Sequence, residues 1–250
     1  MNWHERYLQQ ARWTHELRSY LFQNAGISSA HRVLEVGCGT GAVLSENSLS
    51  KIGRPTNAAF FGIDISASAL TECTMHAPTA LLTRGDGLFL PFLDKIFDIS
   101  YCHFLLLWVK DPLKTLNEMK RVTKPRGYLL ALAEPDYTAR VYLPRKIAWL
   151  GDRQTKSLMD QGADVGIGSR LADLFHHAGI NILETGAIQH RGMEKITSDE
   201  WENEWSVLQE DLAGSVTREE LRKMKHLDEQ ALKLGGHEMN VPTYFAWGQV

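Results

Sequence analysis

Between residues 32 and 134, short apolar runs rich in β-branched and aromatic side chains alternate with stretches whose apolar positions recur at helical spacing. "RVLEV" (32–36), "AAFFGID" (58–64), "ALLT" (80–83), "IFDISY" (96–101) and "YLLALAE" (128–134) read as strands, each bounded by Gly, Pro, Asn or Asp. The alternation predicts βαβ units on a parallel sheet. Between the last two strands Asp111 is a natural N-cap and Pro112 suits the first helical position. Leu113, Leu116 and Met119 supply the inner face, and Pro125 with Gly127 should end that helix.

On either side the pattern changes. Trp13, Leu17, Tyr20 and Leu21 share one helical face that Gly26 terminates, so a helix (1–27) should precede the first strand. Residues 138–167 interrupt the alternation, with "QGADVGIG" (161–168) as a flexible connection, before "SRLADLFHHAG" (169–179) restores it with Ser169 as cap and Gly179 as terminator. "INILETGAI" (180–188) follows as a strand. A charged helical stretch then carries two capping-box patterns, Thr197 with Glu200 and Thr217 with Glu220, and turns Trp201, Trp205 and Leu208 inward until Gly235-Gly236 closes it. "YFAWGQV" (244–250) is the last strand. A single domain over 1–250 is expected, with 138–167 and 190–240 as mostly helical cap insertions.

Composition narrows the class. At 250 residues and 44% apolar, the chain can bury a sizeable core. Thirty acidic against 27 basic side chains give a net charge of -3, and no basic tail is present, so binding to nucleic acid is not expected. Cys38, Cys73 and Cys102 are too few and wrongly spaced for a disulfide framework or structural zinc. The amino terminus lacks a signal-peptide apolar stretch and no run reaches membrane-spanning length, so a soluble protein of the reducing cytoplasm is expected.

Candidate chemistry begins at "VLEVGCGTG" (33–41). A strand feeding a helix through Gly37, Gly39 and Gly41 leaves no side chains in the way, so a ligand can lie against backbone amides at the helix's positive end. Gly37, Gly39 and Ala42 also satisfy a relaxed dinucleotide fingerprint, with Asp64 about twenty residues beyond, where a ribose-binding carboxylate belongs. Glu35, however, would repel a pyrophosphate and attract an ammonium. Asp86, in "RGDGLFLPF", should face the same crevice. The preferred ligand therefore carries a ribose, a base and an amino acid.

With these motifs in order, "VLEVGCGTG", "FFGIDIS", "GDGLFLPF", "FDISYCHFLLLWVKDP" and "LNEMKRVTKPRGYLLALAEPD", the chain resembles class I S-adenosylmethionine-dependent methyltransferases, of the group that includes the ubiquinone/menaquinone-biosynthesis enzymes. The resemblance covers roughly residues 30 to 136. It implies an α/β, Rossmann-like seven-stranded sheet of order 3-2-1-4-5-7-6 with strand 7 antiparallel. It implies that Glu35, Gly37, Gly39 and Gly41 hold the methionine part of the cofactor, Asp64 the ribose hydroxyls and Asp86 the adenine amino group beside Gly87. Ile65 should pack against adenine and Cys102 should line the pocket. S-adenosylhomocysteine would be the product of methyl transfer, by in-line displacement, to a small or medium organic acceptor.

Proton acceptors are less defined. His103, Glu134, Asp136 and Tyr137 follow the fourth and fifth strands, where an acceptor would sit. Alignment and exclusion of water can supply most of the acceleration for a sulfonium donor, so no base is obligatory. Tyr7 or Trp13 could fold over the cofactor, and Trp108 should pack in the core or over the pocket mouth. Neither His176-His177 nor His4 with His15 has metal-site spacing, so no metal is expected. Competing readings are a catalytically silent S-adenosylmethionine-binding partner and a nicotinamide-dependent oxidoreductase. Tyr142 and Lys146 offer the spacing of short-chain dehydrogenases, but Pro144 lies between them.

Overall fold

A computed structural model describes residues 3–45, 58–188 and 197–250, without the side chain of Glu200. Seven strands, β1 (Arg32–Val36), β2 (Ala59–Asp64), β3 (Leu81–Arg84), β4 (Phe97–Cys102), β5 (Thr123–Pro135), β7 (Asn181–Ile188) and β9 (Thr243–Gln249), form one sheet in the order β3-β2-β1-β4-β5-β9-β7. β1 to β5 run parallel and β9 pairs antiparallel to both neighbours. Counting sheet strands alone, this is the expected 3-2-1-4-5-7-6 topology. Chain order reverses at β1, flanked by β2 and β4, and ligands bind at the carboxyl ends beside such a switch.

Each face of the sheet buries its own core. Val33, Phe60, Ile99, Leu130 and Leu132 pack with Leu21 and Phe22 of α2 (His15–Asn24) and Leu70 of α3 (Ala67–His76). Leu34, Val36, Ile63 and Leu129 face the other way, onto Leu116 and Met119 of α4 (Pro112–Val122) and Phe175 of α6 (Leu171–His177). The period of two along β1 therefore sends Val33 and Glu35 to one side and Leu34 and Val36 to the other.

Several boundaries differ from the sequence reading. The front segment is two helices, α1 (Trp3–Trp13) and α2, because Thr14 turns its hydroxyl back to the Gln10 and Ala11 carbonyls. Tyr20 is exposed, donating to Glu184 at 2.9 Å, and Phe22 is buried on the inner face instead. Asp111 does cap α4, accepting from Lys114 N–H at 2.9 Å. That helix stops at Val122, ahead of Pro125: Thr123 Oγ1 donates to the Met119 carbonyl at 2.7 Å while Thr123 pairs with Phe97 as the start of β5. Ser169 is no N-cap. It lies in a 3-10 turn, donating to the Gly166 carbonyl, and α6 begins at Leu171. Gly179, at φ +64°, ends α6 as expected.

The interrupting segments join. α5 (Ala148–Asp160), α7 (Ser198–Asp211) and α8 (Arg218–Lys233) bury Leu150, Trp201, Trp205, Leu208 and Leu221 in a third cluster. A two-stranded ribbon, β6 (Val141–Leu143) with β8 (Glu238–Asn240), ties residues on the two insertions together, an element that helical periodicity cannot reveal. Asp228 of α8, fully buried, accepts from Trp201 Nε1, Trp205 Nε1 and His237 Nδ1, each at 2.8 Å. The Thr217–Glu220 capping box is formed, whereas the Glu200 side chain of the other lies outside the described residues. "QGADVGIG" is a packed connection, because Asp164 N–H donates to the Leu107 carbonyl, Tyr137 N–H to that of Val165, and Ile167 is fully buried.

Candidate functional site

Three loop tips meet at the carboxyl ends of β1, β2 and β3. Gly37, Gly39 and Gly41 have φ of +74°, +51° and +84°, the left-handed region that side chains disfavour. Space is equally restrictive at two of them: a Cβ on Gly37 would lie 2.7 Å from Leu105 Cδ1, and one on Gly41 would lie 2.8 Å from Cys73 Sγ. A Cβ on Gly39 would reach the Tyr7 ring at 3.7 Å, so α1 lies across this turn.

Four amides of the turn that the sequence offers as a ligand seat are used within the fold. Gly37 and Cys38 N–H both donate to the Ile63 carbonyl, at 2.8 and 3.1 Å, and Gly41 N–H donates to that of Cys38. Gly39 N–H donates to Asp64 Oδ2 at 2.8 Å. The glycines thus serve chain reversal and close approach. The helix expected after Gly41 begins with a turn, Ser45 N–H to the Gly41 carbonyl at 2.8 Å, and its continuation lies outside the described residues.

Asp64 also accepts from Ser66 N–H at 2.8 Å. Ser66, not Asp64, caps α3 through Ala69 N–H. Ile65 beside it is 65% exposed, an apolar surface at the strand tip of a kind that stacks on a flat ring. Asp86 accepts from Leu88 N–H at 2.9 Å, and Gly87 packs against Val36 and Thr115, which brings that loop to the tip of β1.

Glu35 is buried and accepts from Tyr101 Oη at 3.0 Å. Burial pushes its carboxyl well above the usual carboxylate range, against the Tyr101 hydrogen bond and the positive charge of Arg18. Arg18, 1% exposed on α2, donates through Nε to Thr14 Oγ1 at 3.1 Å and through Nη2 to the Ala11 carbonyl. Its Nη1 is buried without a hydrogen-bond partner among the described residues. A buried guanidinium with one nitrogen left without a partner is costly unless a ligand completes it. Sequence reading missed Arg18, Thr14 and Tyr101. One signal was present: Arg18 sits three, four and seven residues before Leu21, Phe22 and Ala25, a charge in the apolar stripe of its helix.

The four proton-acceptor candidates separate. Glu134 is fully buried and accepts from Leu105, Leu106 and Leu107 N–H at 3.1, 3.0 and 3.3 Å. Burial raises its carboxyl to about 7 in spite of these amides. The same loop presses Leu105 onto Gly37, so Glu134 positions the neighbour of the glycine turn. Cys102, also fully buried, points its thiol at Glu134. Asp136 caps the following 3-10 turn through Thr138 N–H at 2.9 Å. Tyr137 lies under the Arg140 guanidinium, 5.1 Å from ring centre to Cζ. His103 Nε2 is 3.0 Å from Thr14 Oγ1, and burial holds its ring well below the ordinary histidine range and therefore neutral. Trp108 is 47% exposed and outside the core. A cleft of about 460 Å³ bounded by Lys95, Arg121 and Val250 lies at the amino ends of β4 and β5, the opposite end of the sheet from these tips.

This is the Rossmann-like methyltransferase fold, with the glycine turn and acidic tips at its switch point. Residues 34–131 match the family described as "Methyltransferase domain". The chain is 35% identical over 128 residues to demethylmenaquinone methyltransferase of Staphylococcus aureus (strain JH9), which covers 50% of this chain and 52% of the relative. It thus spans about half the length of the curated relatives it matches. Two solved structures share the fold. One, a putative sarcosine dimethylglycine methyltransferase from Galdieria sulphuraria, has a TM-score of 0.60 and 16% identity, covering 94% of this chain and 84% of that one. The other, the [4+2]-cyclase SpnF, has a TM-score of 0.59 and 20% identity over 94% and 81% of the two chains. Among the described residues no helix is long and apolar enough to cross a membrane.

Proposed function

We propose that this protein is an S-adenosylmethionine-dependent methyltransferase acting on a small or medium organic acceptor. The observation that carries the reading is that buried Glu35, behind the glycine turn, feels the charge of buried Arg18, whose Nη1 has no hydrogen-bond partner among the described residues. An amino acid's ammonium suits Glu35 and its carboxylate suits Arg18, so one zwitterion would satisfy both buried groups. Asp64 accepts two amides and has lone pairs left for two ribose hydroxyls. Ile65 and Asp86, with Gly87, would face the adenine, and Gly37, Gly39, Gly41 and Cys102 would border the methionine part.

When bound, the cofactor supplies an activated sulfonium methyl for in-line displacement, leaving S-adenosylhomocysteine. The chain's own residues would align the reactants and exclude water: Tyr7 over Gly39 from above, and the Leu105 loop, anchored by Glu134, from the side. His103 and Tyr137 would border the acceptor; His103, held well below the ordinary histidine range, takes up a proton poorly, so alignment rather than a base would carry the step, and Asp136 and Glu134 hold backbone in place. Binding of S-adenosylhomocysteine by calorimetry, then turnover with an acceptor panel that includes demethylmenaquinone, tests the proposal. Absence of cofactor binding defeats it, and binding without any transfer identifies a silent binder.

A further inference from the structure

α1 and α3 meet above the glycine turn through three side chains that sequence spacing does not bring together. His4, buried on α1, stacks on His76 of α3, ring centres 3.5 Å apart and planes 6° from parallel. Glu72 stands one turn before His76 on α3, with Oε1 3.9 Å from His76 Nε2. One potential ligand atom from each of the three lies within 4.8 Å of the others. On a helix, residues four apart share a face, so Glu72 and His76 approach an ion from one side and His4 from the other.

We propose that His4, Glu72 and His76 form a site for a borderline divalent ion of the Zn²⁺ type. Two imidazoles and one carboxylate are the donor set such ions take, with water completing four-coordination, whereas Mg²⁺ and Ca²⁺ require oxygen ligands throughout. His4 Nδ1 lies 2.8 Å from Thr40 Oγ1, an outer-shell contact of the kind that orients a ligand imidazole. Stacked rings direct their lone pairs side by side, so binding turns the half-exposed His76 ring until the nitrogens converge at bonds of about 2.0 to 2.1 Å.

Thr40 belongs to the glycine turn, and Tyr7, one helical turn beyond His4, covers Gly39. The ion therefore staples α1 to α3 across the mouth of the turn, and its occupancy sets how readily α1 lifts. This role is independent of which acceptor is methylated, and metal uptake reads it without any turnover.

Chelator-stripped full-length protein, titrated with Zn²⁺ against a chromophoric chelator, should take up about one equivalent, and Co²⁺ should develop the visible absorption of a four-coordinate ion. Glu72→Gln and His76→Ala should each weaken uptake by roughly tenfold or more, and Zn²⁺ should raise the melting temperature of the parent protein but of neither variant. His176→Ala with His177→Ala should change nothing. Both Glu72 and His76 are partly exposed, so their variants should fold. Uptake unchanged in both α3 variants, uptake that follows the His176–His177 pair, or no uptake by the parent protein would each overturn the site.

Discussion

The amide of Gly39 donates to Asp64 Oδ2 at 2.8 Å, so the carboxylate proposed to hold the ribose also fastens the glycine turn to the tip of β2. Loss of Asp64 should act twice. Asp64→Ala should weaken S-adenosylhomocysteine binding by about 1 to 3 kcal/mol, as when a charged hydrogen-bond partner is removed. Asp64→Asn, which retains an acceptor for Gly39, should fall between the two. Calorimetry on all three proteins checks the order, and parent-like affinity in the Ala variant would remove Asp64 from the site.

Burial of Glu35 predicts a proton release. Its carboxyl is held well above the usual carboxylate range, so the empty site favours the protonated form. An ammonium placed against it favours the charged form and lowers that value. Binding should then expel a proton, and affinity should increase with pH until Glu35 ionises unaided. Binding heats measured in buffers of different ionisation enthalpy should diverge for the parent protein and coincide for Glu35→Gln. Coincident heats in the parent would mean that Glu35 does not change its ionisation on binding, and would overturn this role.

Gly39 and Gly214 separate strain from obstruction. Both have positive φ, +51° and +85°, so valine at either should cost about 1 to 2 kcal/mol in backbone energy. Around Gly214 a Cβ meets nothing within 4 Å, whereas at Gly39 it meets the Tyr7 ring over the cofactor turn. Gly39→Val should lose cofactor binding while unfolding cooperatively, and Gly214→Val should melt lower yet bind normally. Equal affinities in the two variants would place the ligand elsewhere.

The legible and illegible parts of this site have different physics. Gly37, Asp64 and Asp86 stand at strand tips, and period-two alternation with turn residues places such tips by local rules. Thr14 meets His103, and His4 meets His76, only because the front helices fold back over the sheet, a tertiary event with no local period. The 3-10 turn at Ser169 and the early end of α4 show the reverse: local cap propensity yields when Thr123 can pair with Phe97 in the sheet. The ribbon of β6 and β8 joins residues about a hundred positions apart, a distance over which a three-residue strand carries no signal.

Glu134 makes the fold's stability pH-dependent in a direction opposite to that of a surface carboxylate. Its carboxyl sits at about 7 against an ordinary 4.5, because burial outweighs three amide donors. The folded state therefore prefers the protonated form. Its stabilising contribution is fully present below pH 4.5 and is lost as pH rises from 4.5 through 7, an effect on the order of 3 kcal/mol for a displacement of this size. Glu134→Gln cannot ionise, and its amide nitrogen faces one of the loop N–H groups, so it should be less stable than the parent at pH 4.5. That deficit should shrink across the window and level off above pH 7. Glu35, raised in the same direction, is present in both proteins and cancels in the difference. Urea unfolding at intervals from pH 4.5 to 8 measures the two curves; if they run parallel, the Glu134 carboxylate is ionised throughout and the loop amides, not burial, govern it.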